Sequence, residues 1–121
     1  MSLFLSESLR RFDDRPSEEC RRLFHGRGHF YPGLEHVVVN WFPPYLQVIN
    51  YEPIDRPISH EDLNALCAGI KTCKGLVLQT RESRRVRNEI IFGEVPEEHV
   101  IFEFGQKYLV KLLSNQNVGL F

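Results

Sequence analysis

Residues 37–80 constrain the fold of this chain more than any other part of the sequence. Two apolar runs, residues 37–41 and 46–51, flank the dipeptide Pro43-Pro44. Adjacent prolines cannot continue a central strand, because proline has no amide hydrogen to donate to a neighbouring strand. The pattern therefore predicts two strands joined by a turn at Pro43-Pro44.

The next segment predicts a helix followed by a buried strand. Ser59 and Asp62 resemble a capping box in which Asp replaces Glu. The helix should end near Lys74-Gly75, and the apolar residues 76–78 begin a further strand. Residues 46–80 thus form a predicted strand–helix–strand unit, with a right-handed crossover if the strands are parallel. The helix residues with apolar spacing are Leu63, Leu66, Cys67 and Ile70.

Two short helices are predicted at the N-terminus. Leu5, Leu9 and Phe12 recur at helical spacing, and residues 13–16 break that pattern with Asp-Asp-Arg-Pro. Ser17 is then a plausible N-cap for a second helix, which the glycines of residues 25–28 would end.

The C-terminal half reads as strands. Residues 81–88 are a charged loop or sheet edge, and residues 89–92 are a short strand. Residues 100–104 and 107–112 are predicted to pair through a two-residue turn at Gly105-Gln106. In that hairpin Val100 and Phe102 would share one face with Phe104, and Val110 would share the partner face with Tyr108 and Leu112. The predicted fold class is α+β, with a mixed β-sheet in a single domain of residues 1–121.

Composition sets the remaining bounds. A chain of 121 residues with 42% hydrophobic residues can build one core. No apolar run approaches the roughly 18–20 residues of a membrane-spanning helix, so no membrane partner is expected. Three cysteines without paired spacing predict reduced thiols in a cytoplasmic protein. The net charge of −1 means that any contact with nucleic acid must come from a local basic cluster.

Three stretches, in order, carry a resemblance to a known family. Residues 22–35, with Arg22-Leu23 and Pro32-Gly33-Leu34, are similar to R-L-x-x-G-E-x-D-G-L-P-G-L, and a strand hairpin follows. Residues 81–96 are similar to R-S-D-x-x-x-R … G-E-L-P, and residues 97–121 to E-x-G-x-x-F/L-x-V-x … K-T-G-Y/F-F/Y-L-D-Q-R. Together they resemble the ribosomal large-subunit RNA cytosine-5 methyltransferases, which use S-adenosylmethionine.

The resemblance implies a domain without catalytic residues of its own. In the family, this domain lies between a small RNA-binding domain and a Rossmann-like catalytic domain that holds the cofactor and the catalytic cysteine. Residues 115–121 would stop inside the motif that opens the catalytic domain, so Asn117 and Gly119 would lie near the missing cofactor site. No G-x-G-x-x-G-like loop follows a strand in this chain, which is therefore expected to bind no cofactor itself. The three cysteines (Cys20, Cys67 and Cys73) are not assigned as nucleophiles.

The sequence departs from the family at two motifs. His29-Phe30-Tyr31 stands where the family has Asp-Gly-Leu, and Asn117-Val118-Gly119 stands where it has Lys-Thr-Gly. Neither the modified base nor the particular RNA is therefore carried over.

Candidate contacts with RNA, in particular ribosomal RNA, come from the basic residues. A shared face of arginines could neutralise phosphates, whereas the alternative is a solvated charge run balanced by Glu82 and Glu89. The glycine-rich residues 25–29 could let a phosphate or flipped base approach, or could simply end a helix. Nearby aromatic residues, Phe30, Tyr31 and Trp41, could stack on bases or could lie in the core. The candidates are Arg27, Lys74, Arg81, Arg84, Arg85 and Arg87.

Other readings of the chain have less support. Cys20, His25, His29 and His36 lack the paired short spacing of structural zinc sites, so no metal is predicted. Residues 97–99 (Glu-Glu-His) have no partner motif for acid–base chemistry and are predicted to form a turn. The first hypothesis is the substrate-recognition domain of a methyltransferase acting on RNA. The second is a protein-interaction or dimerisation module that keeps the fold without RNA binding, with a homodimer as one possible assembly. A third, a small independent enzyme, has least support.

Overall fold

The computed structural model describes residues 3–14, 20–26, 36–51, 58–82, 85–103 and 105–113. Two helices and seven strands are found within these residues. In chain order the elements are α1 (Leu3–Asp14), β1 (Arg21–His25), β2 (Val37–Phe42), β3 (Tyr45–Tyr51), α2 (His60–Gly69), β4 (Gly75–Glu82), β5 (Arg85–Gly93), β6 (His99–Glu103) and β7 (Gln106–Val110).

Five strands form a mixed sheet in the order β1-β2-β3-β4-β5. Only β3 and β4 pair in parallel, and α2 connects them, while the other neighbours are antiparallel. Parallel strands need a crossover connection, which the helix supplies. The predicted α+β class, the mixed sheet and the strand–helix–strand unit are confirmed.

The turn at Pro43-Pro44 is also confirmed. Phe42 pairs with Tyr45 at the end of an unbroken antiparallel ladder, so the two prolines occupy the loop of a tight hairpin. The peptide bond between them is cis. The prolines thus stand where no backbone amide is required by the ladder.

The predicted second N-terminal helix is wrong for residues 21–25, which form β1 at the edge of the sheet. The pairing of β1 with β2 shifts register between Arg22 and Phe24. This bulge buries both Leu23 and Phe24, so the strand lacks the alternation that would have revealed it. Residues 15–19, which include the predicted N-cap Ser17, lie outside the described residues.

Of the two alternatives for residues 81–88, the structure supports a sheet edge for residues 85–88, which lie in the edge strand β5; residues 83 and 84 lie outside the described residues. Residues 81 and 82 end β4, and β5 runs from Arg85, so it is longer than the predicted strand at residues 89–92. The two strands pair from Gly75 opposite Gly93 to Glu82 opposite Arg85. An edge strand tolerates many charged side chains because its backbone, not its side chains, makes the ladder.

The C-terminal hairpin exists, but its turn is one residue earlier than predicted. Glu103 pairs with Gln106, so Gln106 belongs to β7 and the turn lies before it, at Gly105 with φ +76°. Ile101 and Val110 point into the protein. Val100 and Phe102 face outward as an exposed pair; Phe104 is outside the described residues.

The sheet is covered on both faces. One face, which we call the helix face, packs against α1 and α2; there Phe12 contacts Trp41 edge-on with ring centroids 5.4 Å apart. The opposite face, the hairpin face, buries Phe42 and Val77 against β6 and β7. Within the described residues, neither helix is long and apolar enough to cross a membrane.

Candidate functional site

The hairpin face is polar away from the hairpin that covers it. One amide side chain points to this face from each of β2, β3, β4 and β5. Asn40 lies opposite Gln47, and Gln79 lies opposite Asn88. Directly opposed residues of antiparallel strands share a face, so each pair can bond across its strands.

The first amide pair continues to an arginine on β1. Arg22 Nε donates a 3.0 Å hydrogen bond to Asn40 Oδ1, and Asn40 Nδ2 donates one of 3.0 Å to Gln47 Oε1. Gln47 is fully buried, and its Nε2 atom has no hydrogen-bond partner. Because a buried amide normally uses its donors, this half of the network is incompletely satisfied.

The second amide pair positions an arginine on β4. Arg81 Nε donates to Gln79 Oε1 at 2.6 Å, and Gln79 Nε2 donates to Asn88 Oδ1 at 3.0 Å. Asn88 Nδ2 in turn reaches the backbone carbonyl of Leu113 at 3.0 Å. A chain of bonds running in one direction fixes how each amide is oriented, and it holds the Arg81 guanidinium at its end.

Tyr51 lies close to both arginines. The Arg81 Cζ atom is 5.4 Å from the centroid of the Tyr51 ring, within cation–π range. Burial lowers the pKa of the Arg22 guanidinium, and its interaction with the Tyr51 hydroxyl partly offsets that effect. Arginine also stays protonated at neutral pH, so this part of the sheet holds two positive charges beside one aromatic ring.

Several basic residues meet at one end of the sheet. The antiparallel pairing of β1 and β3 with β2, and the parallel pairing of β3 with β4, make β1, β3 and β4 end on the same side. β5 begins on that side. We call this side the loop end; its described residues are His25, Tyr51, Arg81, Arg85 and Arg87.

The arginines at the loop end do not all share one face. Arg81 pairs with Val86 on the hairpin face, whereas Arg87 pairs with Thr80 and Arg85 with Glu82 on the helix face. Arg85 and Arg87 are exposed. No ion pair joins either of them to a described carboxylate, although Glu82 lies opposite Arg85 and Glu89 shares their face.

The other predicted residues are not part of this group. Lys74 precedes β4, seven residues from Arg81, which places it about 23 Å away at the opposite end of the sheet. Trp41 is buried on the helix face, so of its two predicted roles, base stacking or core packing, the structure supports core packing. Six residues singled out in the sequence lie outside the described residues: Arg27, Phe30, Tyr31, Arg84, Asn117 and Gly119.

Arg22, Tyr51 and the four amides were not singled out from the sequence. The signal for three of the amides is a single amide inside an apolar run: Asn40 in VVVNWF, Gln47 in YLQVI and Gln79 in LVLQT. A polar side chain within a buried strand costs free energy unless it is bonded, so it usually marks a specific partner.

Acid–base and metal chemistry find little support in the described part of the chain. His99 Nε2 is 2.6 Å from the Pro43 carbonyl and its ring packs edge-on against Tyr45, so it joins β6 to the β2–β3 turn. A cavity of about 280 Å³ lies beside Glu97, Glu98 and Lys111. Among the described residues, no three or more His, Cys, Asp or Glu side chains lie close enough together to hold a metal ion. His29 lies outside the described residues.

The connection between β3 and α2 differs in sequence from that of a Rossmann-type nucleotide site. A Rossmann-type site needs a glycine-rich turn between the first strand and the helix, where the backbone approaches the ligand. In this chain residues 52–59 read Glu-Pro-Ile-Asp-Arg-Pro-Ile-Ser, without glycine and with two prolines. The β3–α2–β4 unit therefore lacks the glycine-rich turn that a Rossmann-type cofactor site uses.

A family profile described as S-adenosylmethionine-dependent methyltransferase matches residues 21–121. That match spans most of the chain, including all seven strands and α2. The chain therefore belongs to the S-adenosylmethionine-dependent methyltransferase family. No curated protein matches it.

Two solved structures share the fold. One is a candidate S-adenosylmethionine-dependent methyltransferase from Streptococcus mutans, which is 22% identical in sequence and superposes with a TM-score of 0.71. The match covers 94% of this chain and 32% of the Streptococcus mutans chain. The other is SMU.776, a candidate methyltransferase complexed with SAH, which is 23% identical in sequence and superposes with a TM-score of 0.71. The match covers 100% of this chain and 33% of the SMU.776 chain. The chain thus spans about a third of the length of either structure.

Proposed function

We propose that this chain is the substrate-side domain of an S-adenosylmethionine-dependent methyltransferase that acts on RNA. Its loop end would contact the RNA backbone, while the cofactor and the catalytic residues belong to another domain of the protein. Membership of the methyltransferase family supports the reaction class. The sequence resemblance to the ribosomal RNA cytosine-5 methyltransferases supports ribosomal RNA as the substrate class.

The observation that carries the proposal is the pair Arg85 and Arg87. Alternate residues of a strand point to the same face, about 7 Å apart along it. Both side chains are exposed, and neither forms an ion pair with a described carboxylate. Phosphate groups are the partners that such cations bind, through charge that does not depend on base sequence.

Tyr51 and Arg81 add a second kind of contact. The amide network holds Arg81 against the Tyr51 ring, and Tyr51 is only half-buried. An aromatic face beside a fixed guanidinium suits an unstacked base, because both groups stack on the flat base surface. The loop end would therefore hold single-stranded or locally opened RNA in preference to a regular duplex.

The test is RNA binding by the double substitution R85Q/R87Q in this chain. Fluorescence anisotropy with a labelled single-stranded fragment of ribosomal RNA should show weaker binding than for the unsubstituted chain. The slope of log affinity against log salt should fall by about 1.4, since each phosphate contact on a single strand contributes about 0.7.

The matched control is K74Q, which removes one charge at the opposite end of the sheet. It should bind RNA as the unsubstituted chain does. An unchanged affinity and salt slope for R85Q/R87Q, or an equal loss for K74Q, would contradict a site at the loop end. Failure of the unsubstituted chain to bind any RNA would contradict the whole proposal.

The second candidate function, dimerisation, is favoured by one observation. The outward face of the C-terminal hairpin exposes 47% of Val100, 42% of Phe102 and 60% of Leu109. Neighbouring exposed apolar side chains of this kind mark association surfaces. If this face joins two copies, sedimentation equilibrium should give a dimer mass that L109K reduces to the monomer mass; a monomer without substitution would refute dimerisation.

A further inference from the structure

A pair of thiols lies where α2 is joined to β4. Cys67 is in the last turn of α2 and is buried in the core of the helix face; Cys73 is in the connection to β4 and is half-buried. Their Sγ atoms are 2.6 Å apart. An S–S bond is about 2.05 Å long, so only a small movement separates the thiols from bonding distance.

The backbone holds Cys73 in this position. The Ile70 amide donates to the Cys67 carbonyl at 3.2 Å, and the Cys73 amide donates to the Ile70 carbonyl at 2.9 Å. The next residue is fixed as well, because the Lys74 amide donates to the Pro44 carbonyl at 2.8 Å. The thiols therefore face each other within a hydrogen-bonded turn, without any need for α2 or β4 to move.

The two thiols differ in reactivity. The Cys67 thiol, by donating a hydrogen bond, lowers the pKa of Cys73, and the backbone groups of Gly75 and Leu46 act in the same direction. The same hydrogen bond and burial raise the pKa of Cys67. Since the thiolate is the nucleophile and Cys73 is the more accessible of the two, Cys73 is the first to react.

We propose that Cys67 and Cys73 are a redox-modification site, at which a peroxide converts the two thiols into an intramolecular disulfide. The site is independent of the proposed RNA contact, because it lies at the end of β4 away from Arg81. Disulfides that form in reducing compartments are usually transient and have catalytic or redox-sensing roles.

The chemistry balances with hydrogen peroxide as the oxidant. The Cys73 thiolate attacks one peroxide oxygen, so an S–O bond forms, the O–O bond breaks, and the departing hydroxide takes the proton released by Cys73 to become water. The Cys67 thiolate then attacks the sulfur of the sulfenic acid, forming the S–S bond and releasing a second hydroxide. That hydroxide takes the Cys67 proton, so two thiols and one peroxide give one disulfide and two waters.

Cys20 provides an internal control. It is buried in the other core cluster, on the hairpin face of the sheet, and is thus separated from Cys67 and Cys73 by the sheet itself. It should remain a free thiol under conditions that oxidise the pair.

The experiment treats this chain with hydrogen peroxide, denatures it, and alkylates the remaining thiols with N-ethylmaleimide. Peptide analysis should show one alkylated residue, Cys20, and a disulfide between Cys67 and Cys73. The intact mass should equal that of the reduced chain plus one N-ethylmaleimide minus two hydrogen atoms. C20S should form the same disulfide at the same rate. In C67S, Cys73 should instead accumulate as sulfenic acid that dimedone traps.

The proposal is overturned if the unsubstituted chain keeps all three thiols alkylatable. It is also overturned if Cys73 proceeds directly to sulfinic acid, or if Cys20 is in the disulfide. A pH series without oxidant adds a second measurement on the unsubstituted chain. Iodoacetamide should modify Cys73 at lower pH than Cys67, and the reverse order would contradict the assignment of Cys73 as the attacking thiol.

Discussion

The side chains of Asn40 and Gln47 face each other from adjacent strands, and their amides are joined by a 3.0 Å hydrogen bond in the protein interior. Arg22 extends the contact to β1 through the Asn40 oxygen. One buried asparagine thus links the side chains of three strands.

Replacing Asn40 with Ala should destabilise the fold by about 1–3 kcal/mol, because Arg22 and Gln47 lose their partner while remaining wholly or partly buried. Urea unfolding, followed by circular dichroism, measures the change. N64A, which removes an exposed asparagine from α2, is the control and should be neutral or slightly stabilising, since alanine favours the helix. Equal effects of the two substitutions would count against a structural role for the network.

Two glycines with positive φ should respond differently to substitution by alanine. At Gly93, with φ +62°, an added Cβ would overlap the backbone carbonyl of Lys74, so G93A should cost more than the ~1–2 kcal/mol of left-handed backbone alone. At Gly105, with φ +76°, the Cβ would meet nothing within 4 Å, so G105A should cost only that conformational amount. Thermal unfolding should therefore give the lower Tm for G93A; the opposite order would show that the β4–β5 edge yields without cost.

Ser59 caps α2 by accepting hydrogen bonds from the amides of Glu61 and Asp62, at 3.1 and 3.4 Å. S59A should cost about 0.5–2 kcal/mol, because those amides have no other partner within the helix. Ser6 offers a matched comparison, since its hydroxyl is exposed and bonds only the Leu3 carbonyl within α1. S6A should be neutral or stabilising in the same unfolding assay, and a loss equal to that of S59A would show that capping is not the cause.

Calorimetric titration of this chain with S-adenosylmethionine should show no binding at micromolar concentrations of the ligand. The reason is that the chain's parallel strand–helix–strand unit has prolines, and no glycine, in the turn where the ribose of such a cofactor would approach the backbone. Measurable micromolar affinity would mean that the cofactor site, or part of it, belongs to this domain.

The sequence predicted those parts of the fold that rest on local signals. Pro43-Pro44 predicts a turn because neither proline has an amide hydrogen to donate, whichever strands pair beside it. Ser59 predicts the start of α2 because its own side chain caps the helix. β1 was missed because its structure depends on pairing with β2, across residues far along the chain, and because the bulge after Arg22 buries consecutive residues. The sequence around Ser17 shows a local capping signal but no sign of the pairing with β2, so a helix was predicted there.

The candidate site was predicted only in part. Charge density drew attention to Arg81, Arg85 and Arg87, but their division between two faces follows from the β4–β5 register, which the sequence does not contain. Arg22 was named only for the family resemblance and not as a site residue, since it is separated by 59 positions from Arg81 and approaches Tyr51 only in the folded sheet.

The position of β5 at the edge of the sheet gives its charges a second role. A strand with one unpaired side can recruit a strand from another molecule, and charged side chains oppose that association. β5 alternates Arg85, Arg87 and Glu89 along one face, while Ile90 and Phe92 are substantially exposed at its other end. Neutralising both arginines would therefore remove a barrier to intermolecular sheet growth as well as the proposed contact with RNA. Under that proposal, solubility and RNA affinity are coupled through the same two side chains.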